Sequence, residues 1–161
     1  TSEGPYVLEF NARFGDPEAL NVLPILSSDF VAICQAILSG ELSETLVTFE
    51  HKATVCKVVT PRSYPENKAE QGQEVTFPLD IPENACVFFG DVAEEHDGTL
   101  RLGGSRAAGI VGIGNTIAEA ERIAQALCEQ VKGPVRFRSD IGTSALIQER
   151  TRRLRMMRNA S

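Results

Sequence analysis

The feature that most constrains the fold is a change of hydrophobic pattern part-way along the chain. Before about Thr45 the apolar residues recur at helical spacing, whereas residues 54–60 form a β-branched run typical of a strand. We therefore expect two parts, 1–47 and 48–161. Extended segments cluster in the second part and are followed by a helical segment, which predicts an α+β fold.

The second part is predicted to form a small mixed or antiparallel β-sheet domain packed by a helix. Asp97-Gly98 is a turn signal between two of its extended segments, so we interpret 86–92, 99–102 and 107–113 as an antiparallel meander. The predicted strands are 54–60, 86–92, 99–102, 107–113 and 135–138.

Three segments have helical signals. Ser28 or Asp29 can cap a short helix that Gly40 ends. Thr116 and Glu119 fit a capping box that opens a longer amphipathic helix extending to Gly133. A last, basic helix is predicted over 145–158, and its arginines are interpreted as a solvated face.

Charge and cysteine usage narrow the classes of function. The 161 residues carry a net charge of −6, which disfavours binding to nucleic acid or to an anionic membrane surface, and no tract is apolar enough to span a membrane. Small-molecule partners are expected instead.

The four cysteines show no Cys-x-x-Cys pairing, so we expect reduced core thiols in a cytoplasmic protein. The first residue is Thr1, from which we expect a missing N-terminal portion.

One short segment combines residue types that suit a nucleotide–metal site. A strand over 6–11 would place Glu9, Asn11 and Arg13 on one side, because alternate side chains of a strand share a face. Carboxylate and amide oxygens suit Mg²⁺, and a guanidinium suits phosphate oxygens. The alternative is a solvated ion pair between Glu9 and Arg13, followed by a turn at Gly15-Asp16-Pro17.

The continuation of this segment resembles a known family. Residues 8–18 read Leu-Glu-Phe-Asn-Ala-Arg-Phe-Gly-Asp-Pro-Glu, which is similar to the glycinamide ribonucleotide synthetase form of the ATP-grasp strand. Further motifs follow in the order expected for that family and cover nearly the whole chain. They are Leu23-Pro24, Ser28-Asp29, Tyr64-Pro65, 103–106, 112–114 and 138–142.

The resemblance implies a fold and an activity. Residues 1–47 would be the C-terminal part of an ATP-grasp domain, and 48–161 would be the C-terminal domain of the synthetase with a basic tail. The family is a phosphoribosylamine–glycine ligase, which uses ATP to join glycine to 5-phosphoribosylamine in purine biosynthesis. The family's glycine-rich phosphate loop and its other acidic metal ligand are absent from this sequence. The chain is therefore expected to need the missing N-terminal domains and to be inactive alone.

The resemblance also implies roles for four residues. Glu9 and Asn11 would hold Mg²⁺ or Mn²⁺ against the phosphates of ATP. Arg13 would lie beside the phosphate or acyl-phosphate and act as a cofactor-binding and catalytic residue. Asp16 would contact substrate.

Other interpretations stay open from the sequence. The chain could be a non-catalytic substrate-cap or interaction domain, or part of an ATP-grasp ligase for another acid and amine. The glycine-rich segment 109–114 could bind phosphate at the start of the following helix, although we favour a close strand-to-helix approach.

Overall fold

The computed structural model describes residues 4–42 and 47–159. Thr1 and the predicted change of pattern near Thr45 lie outside these ranges. The helices are α1 (Glu18–Val22), a 3₁₀ turn (Leu23–Ile25), α2 (Phe30–Ser39), α3 (Ile117–Cys128) and α4 (Ser144–Asn159). The strands are β1 (Ala53–Pro61), β2 (Ala85–Phe89), β3 (Val92–Glu94), β4 (Leu100–Leu102), β5 (Ala108–Gly114) and β6 (Val135–Arg136).

The main sheet is antiparallel and has the strand order β2-β5-β1-β6. β1 pairs with β5 along most of its length, with Cys56 opposite Val111, and β2 pairs with the other edge of β5. β3 and β4 form a separate hairpin. The predicted meander is therefore wrong as a continuous sheet, because β2 pairs with β5 and only β3 and β4 pair across the Asp97-Gly98 turn.

The predicted strand over 86–92 is also wrong as a single element. β2 ends at Phe89, and the chain leaves the sheet at Gly90 before β3 begins. A Cβ atom at Gly90 would lie 2.6 Å from the backbone oxygen of Arg106, so only glycine allows the two backbones to approach this closely. The break lets β3 pair with β4 in the hairpin.

Helix α3 covers one face of the main sheet. Its residues Ile123, Leu127 and Cys128 pack against Val59 of β1 and Ile110 of β5 in a buried cluster. The capping prediction is confirmed, because the Thr116 side chain accepts a hydrogen bond from the Glu119 amide. The helix ends at Cys128, however, and the predicted stop at Gly133 lies beyond it.

The opposite face of the sheet is contacted by the segment that contains α1. Thr54 of β1 donates a hydrogen bond from its hydroxyl to the Asn21 carbonyl at 2.9 Å. Leu20 lies so close to Gly109 of β5 that a Cβ atom there would be 2.5 Å from its Cδ1. The sheet is thus enclosed between α3 and residues from the first part of the chain.

The predicted strand over 6–11 does not form. These residues have no regular secondary structure and are exposed. A strand needs a neighbouring strand for its backbone hydrogen bonds, and none of the strands in the described residues pairs with this segment.

Helix α2 has the predicted Asp29 cap and a left-handed Gly40 at its end, yet Leu38 on its apolar side is 88% exposed.

The four cysteines are free thiols. Burial raises the pKa of Cys56 to about 11 and that of Cys128 to about 12, so both stay protonated at neutral pH. Cys34 and Cys86 are only partly buried, which corrects the expectation that all four belong to the core.

Antiparallel sheets packed by helices confirm the expected α+β class. No helix within the described ranges has the length and apolar character needed to cross a bilayer.

Candidate active site

The structure brings together three of the residues predicted from the sequence. The Asn11 amide nitrogen donates to Glu9 Oε1 at 3.1 Å, and Arg13 Nη2 donates to Asn11 Oδ1 at 3.1 Å. Arg13 Nη1 also donates to the Phe14 carbonyl at 2.8 Å. Glu9, Asn11 and Arg13 therefore contact one another in sequence even though no strand forms, and Arg13 bonds to Asn11 in place of the alternative ion pair with Glu9.

The donor set of Glu9 and Asn11 suits a hard divalent cation. It offers one carboxylate and one amide oxygen, and Mg²⁺ commonly takes one or two protein oxygens together with phosphate oxygens and water. The residues that the structure describes contain no group of three or more His, Cys, Asp and Glu side chains able to hold a metal. Glu9 and Asn11 therefore fit a cation that is shared with a phosphate better than a closed protein site.

Asp16 contacts the sheet part of the chain. Arg106 Nη1 lies 3.1 Å from Asp16 Oδ2 and also donates to the Asp16 carbonyl at 3.0 Å. A hydrogen bond to the Tyr64 side chain, and then the charge of Asp16, raise the pKa of Arg106 above its usual value. Arg106 and Tyr64 lie within motifs of the resemblance, but no role was predicted for them.

Two adjoining clefts lie between the Asp16-Pro17 turn and the sheet face opposite α3. Each has a volume of ≈ 470 Å³, and Val58, Tyr64 and Arg106 line both of them. The first also reaches Asp16, and the second reaches Pro17. We call the second the arginine cleft, because its lining includes three guanidinium groups, those of Arg106, Arg136 and Arg138.

Each guanidinium of the arginine cleft has a partner that orients it. Arg136 donates to the Tyr64 carbonyl. Arg138 Nε donates to Asp140 Oδ1 at 2.9 Å, and this bond to Arg138 is the main reason that the pKa of Asp140 is lowered. Each arginine is also paired with a carboxylate, which is Asp16, Glu66 or Asp140. The remaining N–H donors of three arginines in a largely apolar cleft suit an anionic ligand such as a phosphate ester.

Sequence reasoning missed this cluster, although one signal was present. Arg136 and Arg138 are two residues apart in an extended segment, which places both side chains on one side. The contribution of Arg106 comes from a distant loop and has no such local signal.

The glycine-rich segment 109–114 is a place of close packing. A Cβ atom at Gly112 would lie 2.1 Å from the Ala120 carbonyl oxygen of α3, and one at Gly114 would lie 2.8 Å from the Ala120 nitrogen. The favoured interpretation, that these glycines permit a close strand-to-helix approach, is confirmed.

Comparison with known proteins identifies the family. The family model described as "Phosphoribosylglycinamide synthetase, C domain" matches residues 54–144. The chain belongs to this family. The matched range begins in β1 and ends at the first residue of α4, so it includes Arg106 and Arg138 and leaves out Glu9, Asn11 and Arg13. The resemblance inferred from the sequence motifs is confirmed at the level of the family.

Curated relatives extend the similarity to almost the whole chain. The phosphoribosylamine–glycine ligase of Methanococcus maripaludis is 46% identical over 158 residues, which is 98% of this chain and 35% of the relative. That of Methanocorpusculum labreanum is 48% identical over 159 residues, which is 99% of this chain and 36% of the relative. The chain thus spans about a third of the length of these relatives.

A solved structure has a similar fold. The crystal structure of phosphoribosylamine–glycine ligase from Thermotoga maritima matches with a TM-score of 0.64 and 33% sequence identity. The match covers 84% of this chain and 33% of that protein.

Proposed function

We propose that this chain supplies the C-terminal part of an ATP-dependent ligase that joins glycine to 5-phosphoribosylamine and so forms glycinamide ribonucleotide. The observation that carries the proposal is the similarity to phosphoribosylamine–glycine ligases along 98% of the chain. Membership of the C-domain family supports the same assignment.

In this proposal the two parts of the chain have different tasks. Residues 1–47 contribute the last part of an ATP-grasp domain, and 48–161 form the C-terminal domain that faces it. The Glu9–Asn11–Arg13 segment is exposed, and the arginine cleft is lined in part by Pro17. The nucleotide is proposed to bind at the first of these places and the substrate at the second.

Glu9 and Asn11 are proposed to hold Mg²⁺ or Mn²⁺ against the phosphates of ATP. The cation would neutralise charge on the transferring phosphoryl group. Arg13 has five N–H donors, and its bonds to Asn11 and Phe14 use two of them. The others can bind phosphate or acyl-phosphate oxygens as charge develops there.

The substrate side is proposed to be the arginine cleft and the adjoining Asp16. The phosphate of 5-phosphoribosylamine matches the charge of the three guanidinium groups in the cleft. The Asp16 carboxylate, oriented by Arg106 at 3.1 Å, is placed to interact with an amine. The two ends of the substrate would thus be recognised by groups of opposite charge.

The test uses the full-length parent protein. Glu9→Gln removes the carboxylate charge with little change of shape, and we expect turnover to fall by about 100-fold or more, a typical cost of losing one electrostatic partner of the transition state. The measurement is ATP-, glycine- and phosphoribosylamine-dependent release of ADP. Glu50→Gln is the matched control, since it makes the same change at an exposed carboxylate outside the proposed site.

Two results would overturn parts of this proposal. Turnover of Glu9→Gln at the wild-type rate would remove the metal assignment. A wild-type parent without ligation would favour a non-catalytic cap domain, or a ligase for another acid and amine if ADP release required different substrates. The 161-residue chain by itself is expected to show negligible ligation, because the proposed site needs further nucleotide-binding groups.

A further inference from the structure

Lys57 is a fully buried cation in the middle of β1. Its side chain has no exposed surface. Among the residues that the structure describes, it is the charged side chain that lies in the core. It points to the face covered by α3, the same face on which Val59 packs against that helix. Such a position is costly for a cation unless its donors are all satisfied.

Three acceptors match the three donors of the Lys57 ammonium group. Nζ lies 2.8 Å from Glu121 Oε1 and 2.8 Å from Gln125 Oε1, both on α3. It also donates to the Ser139 carbonyl at 2.7 Å. The group therefore joins three separate pieces of the fold, which are β1, α3 and the turn at 139–142.

Stability alone does not account for this arrangement. Replacing both members of a buried ion pair with apolar side chains of similar size is often neutral or stabilising, so methionine at 57 together with leucine at 121 could fill the same space between β1 and α3. An apolar side chain could not hold the Ser139 carbonyl. The distinctive contribution of Lys57 is therefore to fix the backbone at that carbonyl.

The residue before Ser139 is Arg138, whose guanidinium lines the arginine cleft. Asp140, on the other side of Ser139, orients that guanidinium. A shift of the Ser139 backbone would consequently move both members of the pair. The rest of the turn has its own anchor, because Gly142 packs against Val55 so closely that a Cβ atom would lie 2.8 Å from Val55 Cγ1.

We propose that Lys57 is a positioning residue of the arginine cleft, which holds the Ser139 carbonyl and thereby sets the place of Arg138 for a phosphorylated substrate. The inference rests on the proposed function for the identity of the substrate. It assigns Lys57 no contact with substrate, since α3 and the sheet separate the ammonium group from solvent.

The test compares two variants in the full-length parent. Lys57→Met removes all three bonds, whereas Glu121→Gln removes the ion pair and leaves both the Ser139 bond and an amide oxygen for Lys57. Both are expected to lower the melting temperature. Only Lys57→Met is expected to raise KM for 5-phosphoribosylamine, by roughly tenfold or more, because small misplacements of a binding group have large effects. KM for ATP should stay within about twofold of wild type, since Arg138 lies outside the proposed ATP site.

A second readout does not depend on turnover. Titration calorimetry with ribose 5-phosphate is expected to give weaker binding for Lys57→Met and for Arg138→Gln, and unchanged binding for Glu121→Gln. If Lys57→Met does not fold, Lys57→Met with Glu121→Leu replaces the ion pair by an apolar pair and takes its place in both assays.

The outcomes separate the two proposals. Equal KM values for Lys57→Met and Glu121→Gln, or wild-type binding of ribose 5-phosphate by Lys57→Met, would overturn the positioning role even if the parent is an active ligase. If the parent is inactive but binds ribose 5-phosphate with the expected order of affinities, the proposed function fails and the positioning role stands. Absence of binding and of ligation in wild type would overturn both.

Discussion

At the scale of single residues, Gly112 shows how a backbone contact can restrict a position to glycine. The chain of α3 passes so close to β5 that the space for a side chain at this position is filled by the Ala120 carbonyl. The glycines of 109–114 were compatible with phosphate binding from sequence alone. The contacts of Gly112 and Gly114 instead make these two residues the surface against which α3 packs, while Gly109 contacts Leu20 on the other face.

Gly112→Ala is therefore expected to destabilise the fold. The added methyl group would lie 2.1 Å from the Ala120 oxygen, so the helix must shift. Overpacking of this kind costs about 1–3 kcal/mol or more, which urea denaturation followed by circular dichroism will measure. Ala126→Ser adds one atom on the exposed side of the same helix and should change stability by less than about 0.5 kcal/mol.

A second substitution makes the Gly112 test sharper. Ala120→Gly should not rescue Gly112→Ala, because the atom in contact belongs to the backbone of residue 120 and remains in place. Rescue by this substitution, or stability of Gly112→Ala equal to wild type, would contradict the explanation.

At the scale of elements, helices with local signals were predicted well and strands less well. Asp29 and Thr116 cap α2 and α3 as expected, since a cap depends on residues that are neighbours in sequence. The extended segment 6–11 had the alternation of a strand, but pairing depends on a partner elsewhere. The break at Gly90 likewise depends on the distant Arg106 backbone, which no local pattern reveals.

The Thr116 cap gives a prediction for α3. Thr116→Ala removes the oxygen that accepts from the Glu119 amide, and the free energy of unfolding should fall by about 1 kcal/mol. Thr116→Ser keeps that oxygen and should stay close to wild type. Thermal and urea denaturation measure both variants, and equal losses for alanine and serine would show that the methyl group, rather than the cap, stabilises the helix.

At the scale of the whole molecule, the two parts of the chain share an interface on the sheet. The two buried clusters consist of residues from the second part. The first part adds Leu20, the hydrogen bond from Thr54 to Asn21, and the ion pair of Asp16 with Arg106. From this arrangement we expect the second part to fold by itself and the first part to add to its stability.

A chain of residues 48–161 is therefore expected to unfold cooperatively. Its free energy of unfolding should be lower than that of the 161-residue chain by about 1–3 kcal/mol, which is the scale of one buried apolar side chain. Urea titrations of the two chains measure the difference. A shortened chain without a cooperative transition would show that the first part is required for folding, and equal stabilities would show that its contacts contribute nothing.

The candidate site could be predicted only where its residues are close in sequence. Glu9, Asn11 and Arg13 form a local pattern and remain candidates for the nucleotide side. The arginine cleft joins Arg106 with Arg136 and Arg138 through the packing of loops from different strands. Of these three arginines, only Arg136 and Arg138 have a spacing in the sequence that places them together.

The strand order has a consequence for how the protein forms as it is synthesised. β1 is complete at Pro61, yet its partners β5 and β6 begin at Ala108 and Val135. Until its distant partners have been synthesised, a β-branched strand can pair with strands of other chains. Lys57 places one positive charge at the centre of this segment throughout that interval. We therefore expect the ammonium group that later joins three pieces of the folded protein to disfavour pairing of the unfolded strand with other chains as well.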